Sequence, residues 1–249
     1  MLQRDTSEPS LAGRVALVTG AAKRLGRAAA LRLACEGADL AIHYRTSKDS
    51  AEAAAREIRA LGRGCVALPG DLRDVSQIRE LFAAAVRHFG RLDILVNNAA
   101  VFAPGRLESS TEAEWDAVLD ANLKSQFFCA QAAAPLLKRS GRGVIVNLAS
   151  LGGLQPWPGH IPYCVSKAGV IMLTRCLAKA LAPEVRVNAV APGTITMPGD
   201  PPEWDAEYVQ RAPLRRTGAP EDVASAVSFL IHAEFITGQI LVLDGGRDL

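Results

Sequence analysis

Ser150, Tyr163 and Lys167 are the residues whose types and spacing most plainly offer chemistry. Residues four apart share a helix face, so Tyr163 and Lys167 are expected on one helical turn. An ammonium beside a phenol favours the phenolate. That would draw the phenol down from about 10 toward the pH at which a proton donor or acceptor works best. The Ser150 hydroxyl reaches the same oxygen only if the segment 151–162 folds back. The chemistry on offer is general acid/base work at an oxygen.

The flanking pattern supplies a scaffold for these groups. Residues 15–18 form a short, continuously apolar run ending in Thr19-Gly20, as expected of a strand buried on both faces. Further strands are expected at 39–44, 65–68, 92–96, 143–148, 185–190 and 239–243. Helical patterns fill the gaps at 25–35, 50–61, 75–89, two stretches within about 111–139, 163–181 and 220–232. Strands alternating with helices predict βαβ units: an α/β, three-layer Rossmann fold with a doubly wound parallel sheet of about seven strands. No linker composition or internal repeat divides the chain. Residues 1–13 are expected to be a flexible arm and 14–249 a single catalytic domain.

The bulk numbers exclude several classes. A formal net charge of +2 over 249 residues, without basic runs, gives no support for nucleic acid binding. The five cysteines (35, 65, 129, 164 and 176) fit neither a metal site nor a disulfide framework. No apolar run is long enough to span a bilayer, and the N-terminus lacks the apolar core of a signal peptide. A soluble, cytoplasmic protein without a metal is expected.

In doubly wound sheets ligands bind beyond the carboxyl ends of the strands. At the first such end, Gly20, Arg24, Leu25 and Gly26 belong to a turn opening a helix, whose free N–H groups favour a pyrophosphate. The second strand runs into Tyr44, Arg45, Thr46 and Ser47. No acid lies between Asp39 and Asp49 to hold ribose hydroxyls, whereas Arg45 and Arg24 could hold a 2′-phosphate bidentately. The expected cofactor is NADP(H).

Taken together, Thr19-Gly20-x5-Gly26, Asn97-Asn98-Ala99, Asn122, Ser150, Tyr163-x-x-x-Lys167 and Pro192-Gly193 resemble the short-chain dehydrogenase/reductase family over residues 14–246. The resemblance implies that Tyr163 is the acid/base, that Lys167 lowers its pKa, and that Ser150 orients a carbonyl. Asn122 would hold a water in a proton relay. It also places Asp71 and Leu72 at the adenine, Asn97 and Ala99 beside the cofactor, and Pro192, Gly193 and Ile195 near the carboxamide. Hydride transfer to a carbonyl is the implied reaction. Arg24, His43-Tyr44 and Phe102 are similar to the pteridine reductase branch, where a phenylalanine stacks a pterin; reduction of a dihydropterin or dihydrofolate is the alternative. Ser150 stands where many of that branch carry Asp, and Ala100 replaces a serine. A non-catalytic NADP(H) sensor is a more distant alternative, with no use for a Ser–Tyr–Lys–Asn set.

Phe102, Trp157, Met197 and Trp204 could line an apolar pocket for a small-molecule substrate. His160 lies three residues before Tyr163. Small residues on two helical stretches (Ala130, Ala133 and Ala134; Ala168 and Gly169) allow close helix approach, and the family resemblance implies a homotetramer or homodimer there.

Overall fold

The computed structural model describes residues 11–197, 199–200 and 203–249, without the side chains of 203–205. Seven parallel strands lie in the order β3-β2-β1-β4-β5-β6-β7. They are β1 (Val15–Val18), β2 (Asp39–Tyr44), β3 (Cys65–Pro69), β4 (Ile94–Asn97), β5 (Gly143–Leu148), β6 (Val185–Pro192) and β7 (Ile240–Leu243). The helices are α1 (Arg24–Cys35), α2 (Lys48–Ala60), α3 (Val75–Phe89), α4 (Glu112–Leu119), α5 (Ser125–Ser140), α6 (Ile161–Leu181), α7 (Glu203–Arg211) and α8 (Pro220–His232). The expected three-layer fold is present.

Its layers follow from the period of two along each strand. Ala16, Val18, Ile94, Val96, Val144 and Val146 point to one face, where Leu33, Ile58 and Val227 of α1, α2 and α8 meet them. Val15, Leu17, Leu95 and Ile145 point to the other, against Phe82, Leu137 and Ala178 of α3, α5 and α6. A strand buried on both faces has no polar positions, hence the unbroken apolar runs. The order in which strands are added reverses at β1, which pairs with β2 on one side and β4 on the other. That reversal opens a crevice at the carboxyl ends.

Some boundaries differ from expectation. β6 runs on to Pro192, because its last four residues pair with β7. Between α4 and α5 the chain makes a π turn, Asp120–Lys124, with helical backbone angles at both junctions, so the two helical stretches are continuous. A proline-rich stretch gave no sign of α7. Residues 1–10 of the expected arm lie outside the described residues, but its end is not loose. Leu11 is fully buried in the core, its amide donating to the Glu36 carbonyl. The folded unit therefore begins earlier than residue 14. Among the described residues, no helix is long and apolar enough to cross a membrane, and no cluster of side chains could hold a metal ion.

Leu11→Ala is expected to cost about 2–5 kcal/mol, as for other buried leucines. Denaturant unfolding checks this; a loss below about 0.5 kcal/mol, typical of surface changes, would show that Leu11 belongs to a loose arm.

Candidate active site

β5 ends at Leu148, and Ser150 follows at its carboxyl end. The backbone turns there into a short 3₁₀ segment, Leu151–Gly153, capped by the Ser150 side chain, whose Oγ accepts the Gly152 amide at 3.1 Å. Two glycines let this segment close, one on α6 and one on Trp157. A Cβ on Gly153 would lie 2.8 Å from the Lys167 backbone, and one on Gly152 would lie 2.7 Å from the Trp157 ring. The segment 151–162 thus folds back, bringing Ser150 to Tyr163.

Burial lifts the Tyr163 phenol above its ordinary pKa, and its interaction with the Ser150 hydroxyl opposes that. Lys167 is buried, and its Nζ donates to the Leu148 carbonyl at 2.7 Å. The same Nζ lies 5.7 Å from the centroid of the Tyr163 ring. Desolvation lowers this amine to about 8. Ser150 is the opposing influence; the Lys167 amine, expected to draw the phenol down, faces its ring and bonds a carbonyl.

Asn122 sits in the π turn, fully buried. Its Oδ1 accepts the Val101 amide at 2.7 Å. Its Nδ2 donates to the Val101 carbonyl at 3.0 Å and to Ser166 Oγ at 3.1 Å. The side chain therefore ties the β4 loop to α6, one residue from Lys167.

The crevice beside β1 is a cleft of about 470 Å³. Gly20, Arg24, Leu25, Tyr44, Arg45, Thr46, Ser47, Asp71, Leu72, Ala99, Phe102 and Tyr163 line it, joining many of the expected residues at one place. The cradle accepts only glycine at two points. A Cβ on Gly20 would lie 3.0 Å from Ala99 Cα, and one on Gly26 would lie 2.4 Å from the Gly20 carbonyl oxygen. The N-terminus of α1 opens onto this cleft, so the donor set suits a pyrophosphate.

The other expected residues are distributed more widely. Asn97 does not face the cleft: it is buried, and its Nδ2 donates to Asn147 Oδ1. Asn98 lines the cleft instead, holding the carbonyls of Thr19 and Gly20 through its Nδ2. Arg24 makes a bidentate pair with Asp200 at 3.1 and 3.2 Å, so its guanidinium serves the segment after β6. Lys23, absent from the sequence expectation, lines the cleft with Arg45; a second basic residue in the glycine turn was the signal. Asp71 is bonded to Arg73, which holds its carboxyl at about 2. Pro192, Gly193 and Ile195 do not line this cleft: the Gly193 amide donates to Leu243, and Ile195 packs on the core. Met197 is buried beside Arg24 in a neighbouring groove. The Trp204 side chain lies outside the described residues.

Around Tyr163 the aromatic rings form one group. Trp157 stacks on Tyr163 with centroids 6.1 Å apart, and Phe102 meets Tyr163 edge-on at 4.8 Å. Phe102 lies parallel to His160 at 4.5 Å, so one face of its ring is taken. Ala130 and Ala133 pack inside the core rather than on an outer surface.

Comparison with known proteins then decides the family. A family model described as enoyl-(acyl carrier protein) reductase matches residues 20–248. The 3-oxoacyl-(acyl-carrier-protein) reductase FabG of Staphylococcus aureus is 41% identical over 237 residues, covering 93% of this chain and 96% of its own. The chain belongs to the short-chain dehydrogenase/reductase family. The 3-oxoacyl-(acyl-carrier-protein) reductase of Synechocystis is another relative, 37% identical over 95% of this chain and 98% of its own. Among solved structures, a short-chain dehydrogenase of Burkholderia cenocepacia in complex with NADP superposes with a TM-score of 0.90 at 35% identity, covering 96% of this chain and 100% of that one. A blue fluorescent protein from a metagenomic library, in complex with NADPH, gives a TM-score of 0.90 at 33% identity over 96% and 99% of the two chains.

Removing the Ser150 hydroxyl takes away the group that opposes burial at Tyr163. In Ser150→Ala the phenol is therefore expected to titrate higher than in the parent. Ultraviolet titration, with Tyr163→Phe subtracted to isolate the one phenol, reads this; an unchanged or lower midpoint would contradict the Ser150–Tyr163 interaction.

Proposed function

We propose that this short-chain dehydrogenase/reductase reduces a ketone at the expense of NADPH, and that a 3-oxoacyl thioester is the substrate class it fits best. The observation that carries the reading is the convergence of Ser150 and Lys167 on Tyr163, which itself lines the cleft that carries Lys23 and Arg45. The identity to two 3-oxoacyl reductases supports the substrate class, and the NADP- and NADPH-bound neighbours support the cofactor.

When bound, NADPH supplies the hydride. The chain's own part is to hold the carbonyl and to deliver a proton to its oxygen. Ser150 donates to that oxygen as negative charge develops. Tyr163, kept neutral by burial, gives up its phenolic proton to the same atom. Lys167 places a cation beside the ring and so favours the phenolate left behind. Asn122 keeps the β4 loop and α6 in register around these groups. Lys23 and Arg45 would recognise the 2′-phosphate; the carboxylate lining the cleft with them, Asp71, is paired with Arg73.

The pterin reading has less behind it, because His160 already occupies one face of Phe102. Exposed apolar side chains on α5 and α6, Phe127, Val165 and Met172, support a homo-oligomer through that outer face.

Tyr163→Phe is expected to lower turnover of an acetoacetyl thioester by about 10²–10⁴, the usual worth of a positioned acid, while NADPH binds as before. Turnover within tenfold of the parent would sink the mechanism. Arg45→Ala and Lys23→Ala are each expected to weaken NADPH by roughly 10–100-fold, as for a lost hydrogen bond to a charged group, and to leave NADH unaffected. Isothermal titration with both nucleotides distinguishes this from equal weakening, which would place neither residue at the 2′-phosphate.

A further inference from the structure

His43 is a buried imidazole that the proposed chemistry does not use. It stands near the end of β2, only 3% exposed, and both ring nitrogens are engaged. The Gly20 amide donates to Nδ1 at 3.1 Å. Nε2 lies 2.9 Å from the Gly70 carbonyl oxygen. A backbone N–H only donates and a carbonyl only accepts, so these partners fix the tautomer: Nδ1 is bare and Nε2 carries the proton. The ring is neutral. The His43 carbonyl also takes the next amide of the turn, from Ala21, at 2.8 Å. One residue thus holds two successive amides of the glycine turn, and through Gly70 it reaches the residue before Asp71 and Leu72 of the cleft.

We propose that His43 is a positioning residue for NADPH: its neutral ring sets the Gly20 turn under the α1 N-terminus, and protonating the ring releases that turn. The inference rests on the NADPH reading of the same cleft. Phosphate binding at a helix N-terminus depends on where the N–H groups point. Gly20 has φ +64°, with almost no space above it toward Ala99, so a small shift of the turn changes the cradle. A proton on Nδ1 would face the Gly20 N–H, donor against donor. Burial resists that proton most strongly, while the Gly70 carbonyl and the Asp71 carboxylate favour it, leaving the ring below its ordinary value. Asp71 is itself bonded to Arg73, and Lys23, Arg24 and Arg45 are the other charged side chains lining the cleft. The hold on the turn is therefore present at neutral pH and lost on the acid side.

Two substitutions separate the two bonds. In His43→Asn the amide oxygen takes the place of Nδ1 and keeps the Gly20 bond. In His43→Gln the longer side chain reaches toward Gly70 and gives up Gly20. NADPH dissociation constants, read by fluorescence from about pH 5 to pH 8, are compared for the parent and both variants, with thermal unfolding alongside. His43→Asn is expected to bind within about threefold of the parent, and His43→Gln roughly tenfold more weakly. The parent should lose affinity toward acid pH more steeply than His43→Asn. Equal weakening in both variants, or none in either, overturns the proposal. A merely structural histidine would lower both melting temperatures and leave the dissociation constants together. Should His43→Gln not fold, the pH arm decides alone: parallel curves for the parent and His43→Asn overturn it. Failure of the parent to bind NADPH would sink the cofactor reading itself, whereas normal binding by parent and variants alike sinks only the role of His43.

Discussion

A cation buried at the carboxyl end of the central sheet sets the conditions for everything around it. The Lys167 ammonium has left water, and such a group survives only with a partner. The Leu148 carbonyl, at the last residue of β5, is that partner. This bond fixes α6 against the strand end. It also explains why the following segment must be glycine-rich, since Gly153 lies against the Lys167 backbone with no space for a side chain. With α6 and the turn both fixed, Ser150 and Tyr163 have little freedom to separate. The shared geometry of the three residues is thus a consequence of satisfying one buried charge.

The cofactor end is organised by neutral groups instead. Thr19 Oγ1 accepts the amides of Asn98 and Ala99, and Asn98 returns a bond from its side chain to the Thr19 carbonyl. β1 and β4, neighbours where the strand order reverses, are laced together where the crevice begins. Arg24 contributes from outside this lacing. Its φ of 53° is a conformation that favours glycine. Its side chain crosses to Asp200, which also accepts the Met197 amide. The glycine turn and the segment after β6 are therefore coupled by an exposed ion pair beside the cleft that Arg24 lines.

Much of this was legible in the sequence because it depends on period and punctuation. Uninterrupted runs such as Val15–Val18 announce strands covered on both faces. Gly90, with φ +73°, ends α3 where a helix-terminating glycine was expected. Tyr163 and Lys167 are close because four residues make a turn of helix. What stayed hidden depends on side-chain direction. Asn97 and Asn98 are adjacent, and alternation sends one into the core and the other into the cleft. Arg24 was read as a phosphate ligand because its partner, Asp200, lies 176 positions away. Ala130 and Ala133 suit either a partner helix or the sheet, and only packing tells which. The influence of Lys167 on the phenol hinges on whether the amine meets the oxygen or the ring face, which spacing cannot specify.

The strand order has a consequence for how the cleft comes into being. Ala16 of β1 pairs with Ile94 of β4, and β4 then pairs with β5 some fifty positions further on. Contacts so distant along the chain form only after the entropy of closing large loops has been overcome. Neither half of the sheet contains the crevice by itself, since the crevice is the seam between them. A nucleotide held in that seam would bind the completed fold and not its halves. By mass action it would then draw the chain toward the finished structure, acting as a folding ligand as well as a reactant.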